Sequence, residues 1–227
     1  MNQRPTKSRE RRLRIVAHHE AGHAVMAHLL DLPFDTASIE PDGSSSGQVR
    51  LSDLRWMARS EPTDPMFRLW VERSVMAHMA GFLAERALTR RGNWKAARSD
   101  LASTFEMADV VSFTPRERDR YLDWLFARTE FMMKWRSLHR AVTAVAAELL
   151  RRRTLSSRSV AIVANRVWRE LRRRRRGRRV AAPPDPLGPL GRNHREPGVG
   201  QDETPRAVAP RARAASHSRW RTACTAR

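Results

Sequence analysis

Residues 18–25 read His18-His19-Glu20-Ala21-Gly22-His23-Ala24-Val25. Around them Leu13, Val16, Ala17, Ala24, Val25 and Leu29 recur at helical spacing. That pattern predicts a helix from about Arg9 to Asp31, with Pro33 marking its exit. His19 and His23 are four residues apart, so they lie one turn apart on the same face and both imidazoles can reach one cation. Neutral imidazole nitrogen suits zinc, and catalytic zinc sites use three protein ligands and keep one position open. Glu20 stands beside the first histidine, placed to take a proton from water at the site. The stretch therefore points to metal-assisted hydrolysis, with Zn2+ as cofactor, His19 and His23 as ligands and Glu20 as catalytic base.

A third ligand is needed. A metzincin continuation would require glycine at 26 and histidine at 29, where Met26 and Leu29 stand. His28 is one residue out of register and reads as a helix-surface histidine. The downstream carboxylates Glu40, Glu61, Glu72, Glu85, Asp100 and Glu106 are all candidates, and spacing does not choose among them.

The rest of the body also reads as mainly helical. Thr36–Glu40 and Gln48–Leu51 flank a stretch rich in Pro, Asp, Gly and Ser, which predicts one small β-hairpin after the HExxH helix. A helix is expected from about Asp64, with Pro65 at its first position, to Arg91, closed by Gly92. A third starts near Ser99 as N-cap and continues to Ser112. Thr114-Pro115-Arg116-Glu117 has the signature of a helix start, with a capping threonine and a glutamate three residues on. Behind it Leu122, Leu125, Thr129 and Met132, then Leu138, Val142, Val145 and Leu149, step by three and four, with a break between the two sets. Ser156 or Ser157 caps a last helix, with Val160, Val163, Val167 and Leu171 on its inner side. These stripes are ordinary core packing.

Charge divides the chain. It has 227 residues, 44 Lys+Arg and 24 Asp+Glu, for a net charge of +20. Residues 1–170 hold 29 basic and 20 acidic residues; residues 171–227 hold 15 and 4, so the last quarter carries more than half the excess. That last segment also holds seven of the 13 prolines and opens on Arg172, Arg173, Arg174, Arg175 and Arg176. It cannot bury enough apolar surface to offset its ordering entropy, so 171–227 is expected to be a disordered Arg/Pro-rich tail. A compositional bias explains such a tail without function. The functional alternative is weak binding of nucleic acid or an anionic surface through the five arginines.

The single cysteine, Cys224, excludes an intrachain disulfide and a cysteine-based zinc cluster. No apolar h-region follows Met1–Arg14, and the longest uncharged run near the start, Ala21–Leu30, is short of the ~18 apolar residues of a bilayer span. No transmembrane segment is expected, and the location is expected to be cytoplasmic.

The octapeptide 18–25 resembles the peptidase-domain helix of the FtsH family of ATP-dependent zinc metalloproteases. Ile39-Glu40-Pro41 with Gly47 looks like the family's strand and glycine turn. Ala80-Gly81-Phe82-Leu83-Ala84-Glu85 is similar to its Gly-Gly-Arg-x-Ala-Glu segment, and Ser99-Asp100-Leu101 to its Asn-Asp-hydrophobic helix start. Residues 139–155 resemble its closing helices. The likeness spans roughly 10–170. It implies an FtsH-like peptidase domain over 10–170, preceded by a flexible N-terminus at 1–9, with the fold a compact helical zinc-metallopeptidase domain. It also implies His19, His23 and Asp100 as zinc ligands, Glu20 as general base, and Glu85 as a group orienting a ligand histidine. Without the resemblance, Glu85 reads equally as a partner of Arg86 or Arg90, and Asp100 as a first-turn carboxylate favoured by the helix dipole.

The family joins this domain to a membrane anchor and an ATPase. No lysine here follows a glycine, so the G-x-x-x-x-G-K phosphate loop is absent. Ala80 and Phe82 replace a family glycine and arginine, which bears on partner contacts more than on zinc. The expectation is a stand-alone, ATP-independent zinc endopeptidase acting on flexible or unfolded polypeptides, or on chains delivered by a separate ATPase or unfoldase. The alternative is a non-enzymatic zinc-containing or nucleic-acid-binding protein that uses the basic tail.

Overall fold

The computed structural model describes residues 7–41, 47–51, 61–94 and 97–179. Its elements in order are α1 (Lys7–Leu29), β1 (Phe34–Ser38), β2 (Gln48–Leu51), α2 (Pro65–Thr89), α3 (Arg98–Val110), α4 (Pro115–Met133), α5 (Arg136–Arg152), β3 (Thr154–Ser156) and α6 (Ser157–Arg179). The fold is mainly α, as the apolar periodicity predicts, with one small sheet.

Helix α1 is the centre of the molecule and packs against α2, α5 and α6. Its buried stretch Ala17, Ala21, Gly22, Ala24 and Ala27 is built from small residues, so neighbours approach its backbone closely. At Gly22 the approach is tightest: an added Cβ would lie 2.6 Å from the Ala80 carbonyl oxygen and 2.7 Å from the Ala84 Cβ. Only glycine fits that α1–α2 crossing. Helix α1 ends with Asp31 at φ 54°, a left-handed turn that aspartate tolerates, before Pro33.

Helix α2 starts as its sequence predicts. The Asp64 Oδ1 accepts from the backbone N–H groups of Met66 (2.7 Å) and Phe67 (3.3 Å), and Pro65 opens the first turn. Its end differs from expectation. Arg90, at φ 58°, is the left-handed cap and donates its N–H to the Arg86 carbonyl. Gly92 instead makes room for the Phe82 ring, 2.7 Å from where its Cβ would be. Helix α3 is capped by Ala97, not Ser99, with no side-chain cap bond. At α4 the Thr114 Oγ1 accepts from the Glu117 N–H at 3.1 Å, and the Glu117 carboxylate accepts from the Phe113 N–H at 2.9 Å. The predicted break falls at Lys134–Trp135, where α4 passes to α5.

The hairpin strands pair antiparallel, Ala37 opposite Val49, with an irregularity between Phe34 and Thr36. A third strand joins them. Strand β3 pairs antiparallel with β1, Ala37 opposite Leu155, giving the order β2-β1-β3. Three residues are too few to show a period, so β3 was invisible in the pattern. Leu155 points into the core, and the Arg153 carbonyl accepts from the Ile39 N–H at 2.9 Å, which ties the end of α5 to the strand beside α1.

Both predicted segment boundaries shift. Helix α1 begins at Lys7, inside the expected flexible 1–9 segment, and α6 continues to Arg179, past the expected tail start at 171. Arginine has nearly the helix propensity of leucine, and a helix already nucleated by packing at Val160 and Ala164 extends cheaply into cations that complement its C-terminal dipole. The expected disorder of 180–227 lies outside the described residues. Among the described residues no helix is long and apolar enough to cross a membrane.

Candidate metal centre

His19 and His23 project from one face of α1 with ring centroids 4.7 Å apart and planes at 78°. Asp100, in the first turn of α3, meets them from across the core. Its Oδ2 lies 2.9 Å from His19 Nε2 and 3.5 Å from His23 Nε2. One ligand atom from each of these three residues falls within 4.8 Å of the others, a group that could hold a metal ion. Glu40, Glu61, Glu72 and Glu106 lie outside the group. Glu72 instead approaches Arg128, at 3.9 Å.

Helix α2 supplies the orientation. His23 Nδ1 donates to the Ala77 carbonyl at 2.8 Å, so its Nε2 is left to present a lone pair to a cation. Gly81 accepts the ring: a Cβ there would be 2.3 Å from His23 Nε2. Glu85, one turn further, places its Oε2 3.4 Å from His19 Nδ1, a long contact that leaves this buried nitrogen without a formed hydrogen bond. Arg86 pairs with Glu130 instead, so Glu85 is turned toward the histidine and not toward its arginine neighbour.

Glu20 is buried beside the pair, and Gly47 packs over it, with an added Cβ only 2.8 Å from its Oε1. Glycine at this point lets the start of β2 close on the carboxylate, so α1, α2, α3 and the sheet edge each contribute one wall.

The electrostatics favour a positive charge at the point of convergence. Burial opposes charge on Asp100, yet the two imidazoles outweigh it and hold the carboxyl well below the usual carboxylate range. Burial likewise opposes protonation of His19, but its bond to Asp100, nearby Glu85 and the Glu20 charge raise its pKa. His23 is raised despite burial, chiefly by Asp100. Burial raises Glu20, only partly offset by the histidines. Three carboxyl groups around two imidazoles demand cationic compensation, by protons or by a metal. Two imidazole nitrogens and one carboxylate oxygen are a donor set that borderline divalent cations accept.

One neighbour escaped the sequence reading. His78 stands 6.2 Å, centroid to centroid, from His23, and its Nδ1 donates to the Ser74 carbonyl at 2.8 Å. The spacing His78, Gly81, Glu85 was the available signal, since three, four and seven residues share a helix face. His28 is not a free surface residue either. Its ring stacks on Trp168 at 5.7 Å and 3°, and its Nε2 is buried. Arg172–Arg176 belong to α6 and take no part in the ligand group. Neither a scan against protein-family models nor a search of curated proteins finds a match to the chain.

Proposed function

We propose that the chain is a zinc-dependent endopeptidase, with His19, His23 and Asp100 as metal ligands and Glu20 as general base. The observation that carries this reading is the convergence of the three ligand atoms within 4.8 Å with the buried Glu20 next to the first of them. The resemblance of residues 18–25, 80–85 and 99–101 to the FtsH peptidase domain supports the peptide-bond substrate.

When bound, zinc supplies Lewis acidity to water and to a carbonyl oxygen. Glu20 accepts a proton from the attacking water as its oxygen bonds to the scissile carbonyl carbon. Burial raises the basicity of Glu20 for that task. The same carboxyl then returns the proton to the departing amine as the C–N bond breaks. The Ala77 carbonyl and the space at Gly81 fix the His23 ring throughout, and the Glu85 carboxylate faces the back of His19. Flexible or unfolded polypeptides, or chains handed over by a separate unfoldase, are the expected substrates.

The test compares three proteins for zinc content and for cleavage of a casein-like substrate. Glu20→Gln should retain zinc and lose cleavage by at least about 100-fold, the general-base contribution. Asp100→Ala should lose both. Equal cleavage by wild type and Glu20→Gln would overturn the mechanism, and unchanged zinc in Asp100→Ala would remove that ligand.

A further inference from the structure

Helix α6 begins against β3 and the core, with Val160 and Ala164 buried, and emerges progressively from the body. Among the described residues, the last α6 hydrophobic packed against the core is Trp168, whose ring stacks on His28 and whose Nε1 donates to the Ser137 carbonyl at 3.3 Å. Beyond Trp168 the helix runs to Arg179, about 16 Å further at 1.5 Å per residue. Arg169, Glu170, Arg172, Arg173 and Arg174 are all exposed. Positions 169–179 hold eight arginines (169, 172, 173, 174, 175, 176, 178 and 179) against the single acid Glu170. Stepping 100° each, Arg172, Arg173 and Arg174 already spread over about 200° of the helix circumference.

The helix leaves the body beside a second basic feature. Ser137 belongs to the α4–α5 corner, where Lys134, Trp135 and Arg136 are exposed. We infer that the projecting end of α6, with this corner at its base, binds the phosphodiester backbone of duplex nucleic acid without sequence preference.

The guanidinium fork matches phosphate oxygens in two parallel hydrogen bonds, and an α-helix fits the major groove of a duplex. A lipid surface is the poorer occupant. A membrane-surface helix needs an apolar face, and from 169 to 179 only Leu171 is a large apolar residue. Like charges three and four apart also repel along the helix, and a polyanion relieves that repulsion. The inference is independent of the peptidase reading.

The test uses the full chain and fluorescence anisotropy of labelled duplexes of two unrelated sequences, from about 50 to about 200 mM salt. Wild type should bind both equally, with affinity falling steeply as salt rises. Replacing Arg172–Arg176 with glutamine should cut affinity about 100-fold at the lowest salt and reduce the log–log salt slope by about 3, since each phosphate contact contributes about 0.9. Lysine at the same five positions should keep most of the slope. Glutamine at the eight arginines after residue 179 should change affinity less than about threefold.

Far-UV circular dichroism and thermal midpoint report whether each variant is folded. If the glutamine variant unfolds, the lysine variant against the variant altered after residue 179 decides the matter. Absence of duplex binding, equal or greater loss from the arginines beyond 179, or binding to phosphatidylserine vesicles in place of duplexes would each overturn the proposal.

Discussion

Gly81→Ala tests whether the site is built by the close meeting of α1 and α2. The added methyl would sit 2.3 Å from His23 Nε2, 2.4 Å from Cε1 and 2.8 Å from Cδ2, where 3.4 Å is the lower edge of ordinary contact. The ring must therefore retreat by more than 1 Å. It is not free to do so. Its Nδ1 is bonded to Ala77 on the same helix as Gly81, and α1 is clamped to α2 one residue earlier, at Gly22. Overpacking of this kind costs about 1–3 kcal/mol, against a gain of about 1 kcal/mol from placing alanine in a helix. Folding without metal should thus fall by no more than about 2 kcal/mol. The effect on metal should be larger, because Nε2 is itself the proposed ligand atom. Zinc affinity should drop at least about 100-fold, beyond what loss of a supporting hydrogen bond produces. In thermal or denaturant melts, 100-fold weaker binding removes about 2.7 kcal/mol of zinc-dependent stabilisation. Competition with a chromophoric chelator measures the affinity directly. Gly92→Ala is the control: its methyl meets the Phe82 ring at 2.7 Å, so it should lose stability and keep zinc. Zinc binding by Gly81→Ala within about threefold of wild type would refute this account of how His23 is held.

Three further outcomes follow from single contacts. Glu85→Gln removes the charge 3.4 Å from His19 Nδ1 and should weaken zinc binding about tenfold by chelator competition, with little change in the melt of the zinc-free protein. Arg90→Gly relieves a left-handed non-glycine cap at φ 58° and should stabilise the protein by about 1 kcal/mol in urea unfolding, leaving zinc content unchanged. Glu130 is held below its ordinary value; burial opposes this, but the Arg86 partner and Lys134 outweigh it. A depressed carboxyl contributes stability above its unfolded pKa of 4.5 and loses it as pH falls through the folded value. The stability gap between wild type and Glu130→Gln should therefore be at most about 1 kcal/mol near neutrality, because the pair is part-exposed and screened, and should close as pH falls below about 4.5.

Most of the helical frame was legible because it rests on local chemistry. Asp64-Pro65 and Thr114-Pro115 cap helices through their own side chains, and the stripes Leu122–Met132 and Leu138–Leu149 bury the faces their spacing implies. What was not legible depends on tertiary contact. Strand β3 exists because Leu155 drops into the core and Arg153 bonds Ile39, neither of which leaves a period. Gly92 looked like a helix cap and is a seat for Phe82. Arg172–Arg176 looked like the start of a tail, since no apolar stripe continues there, yet helix extension needs no stripe once Trp168 and its predecessors are packed.

The metal site divides in the same way. His19, Glu20 and His23 follow from one helix and its period, so two candidate ligands and a candidate base could be placed with no knowledge of the fold. Asp100 could not: it lies 81 residues from His19, and spacing treats it no differently from Glu72 or Glu106. What separates them is where α3 starts: it packs on α2, which in turn packs on α1 at Gly22 with Ala80 and Ala84 against it. The same crossing brings Ala77, Gly81 and Glu85 onto the backs of the two imidazoles. A carboxylate at the first turn of α3 therefore meets histidines whose outward nitrogens already face it. Gly22 at this crossing leaves room for the Ala80 carbonyl and the Ala84 methyl, which would lie 2.6 and 2.7 Å from any Cβ placed there. A side chain at position 22 is what the crossing cannot accommodate, which makes the α1–α2 contact, more than any single residue, the element on which the geometry of the centre depends.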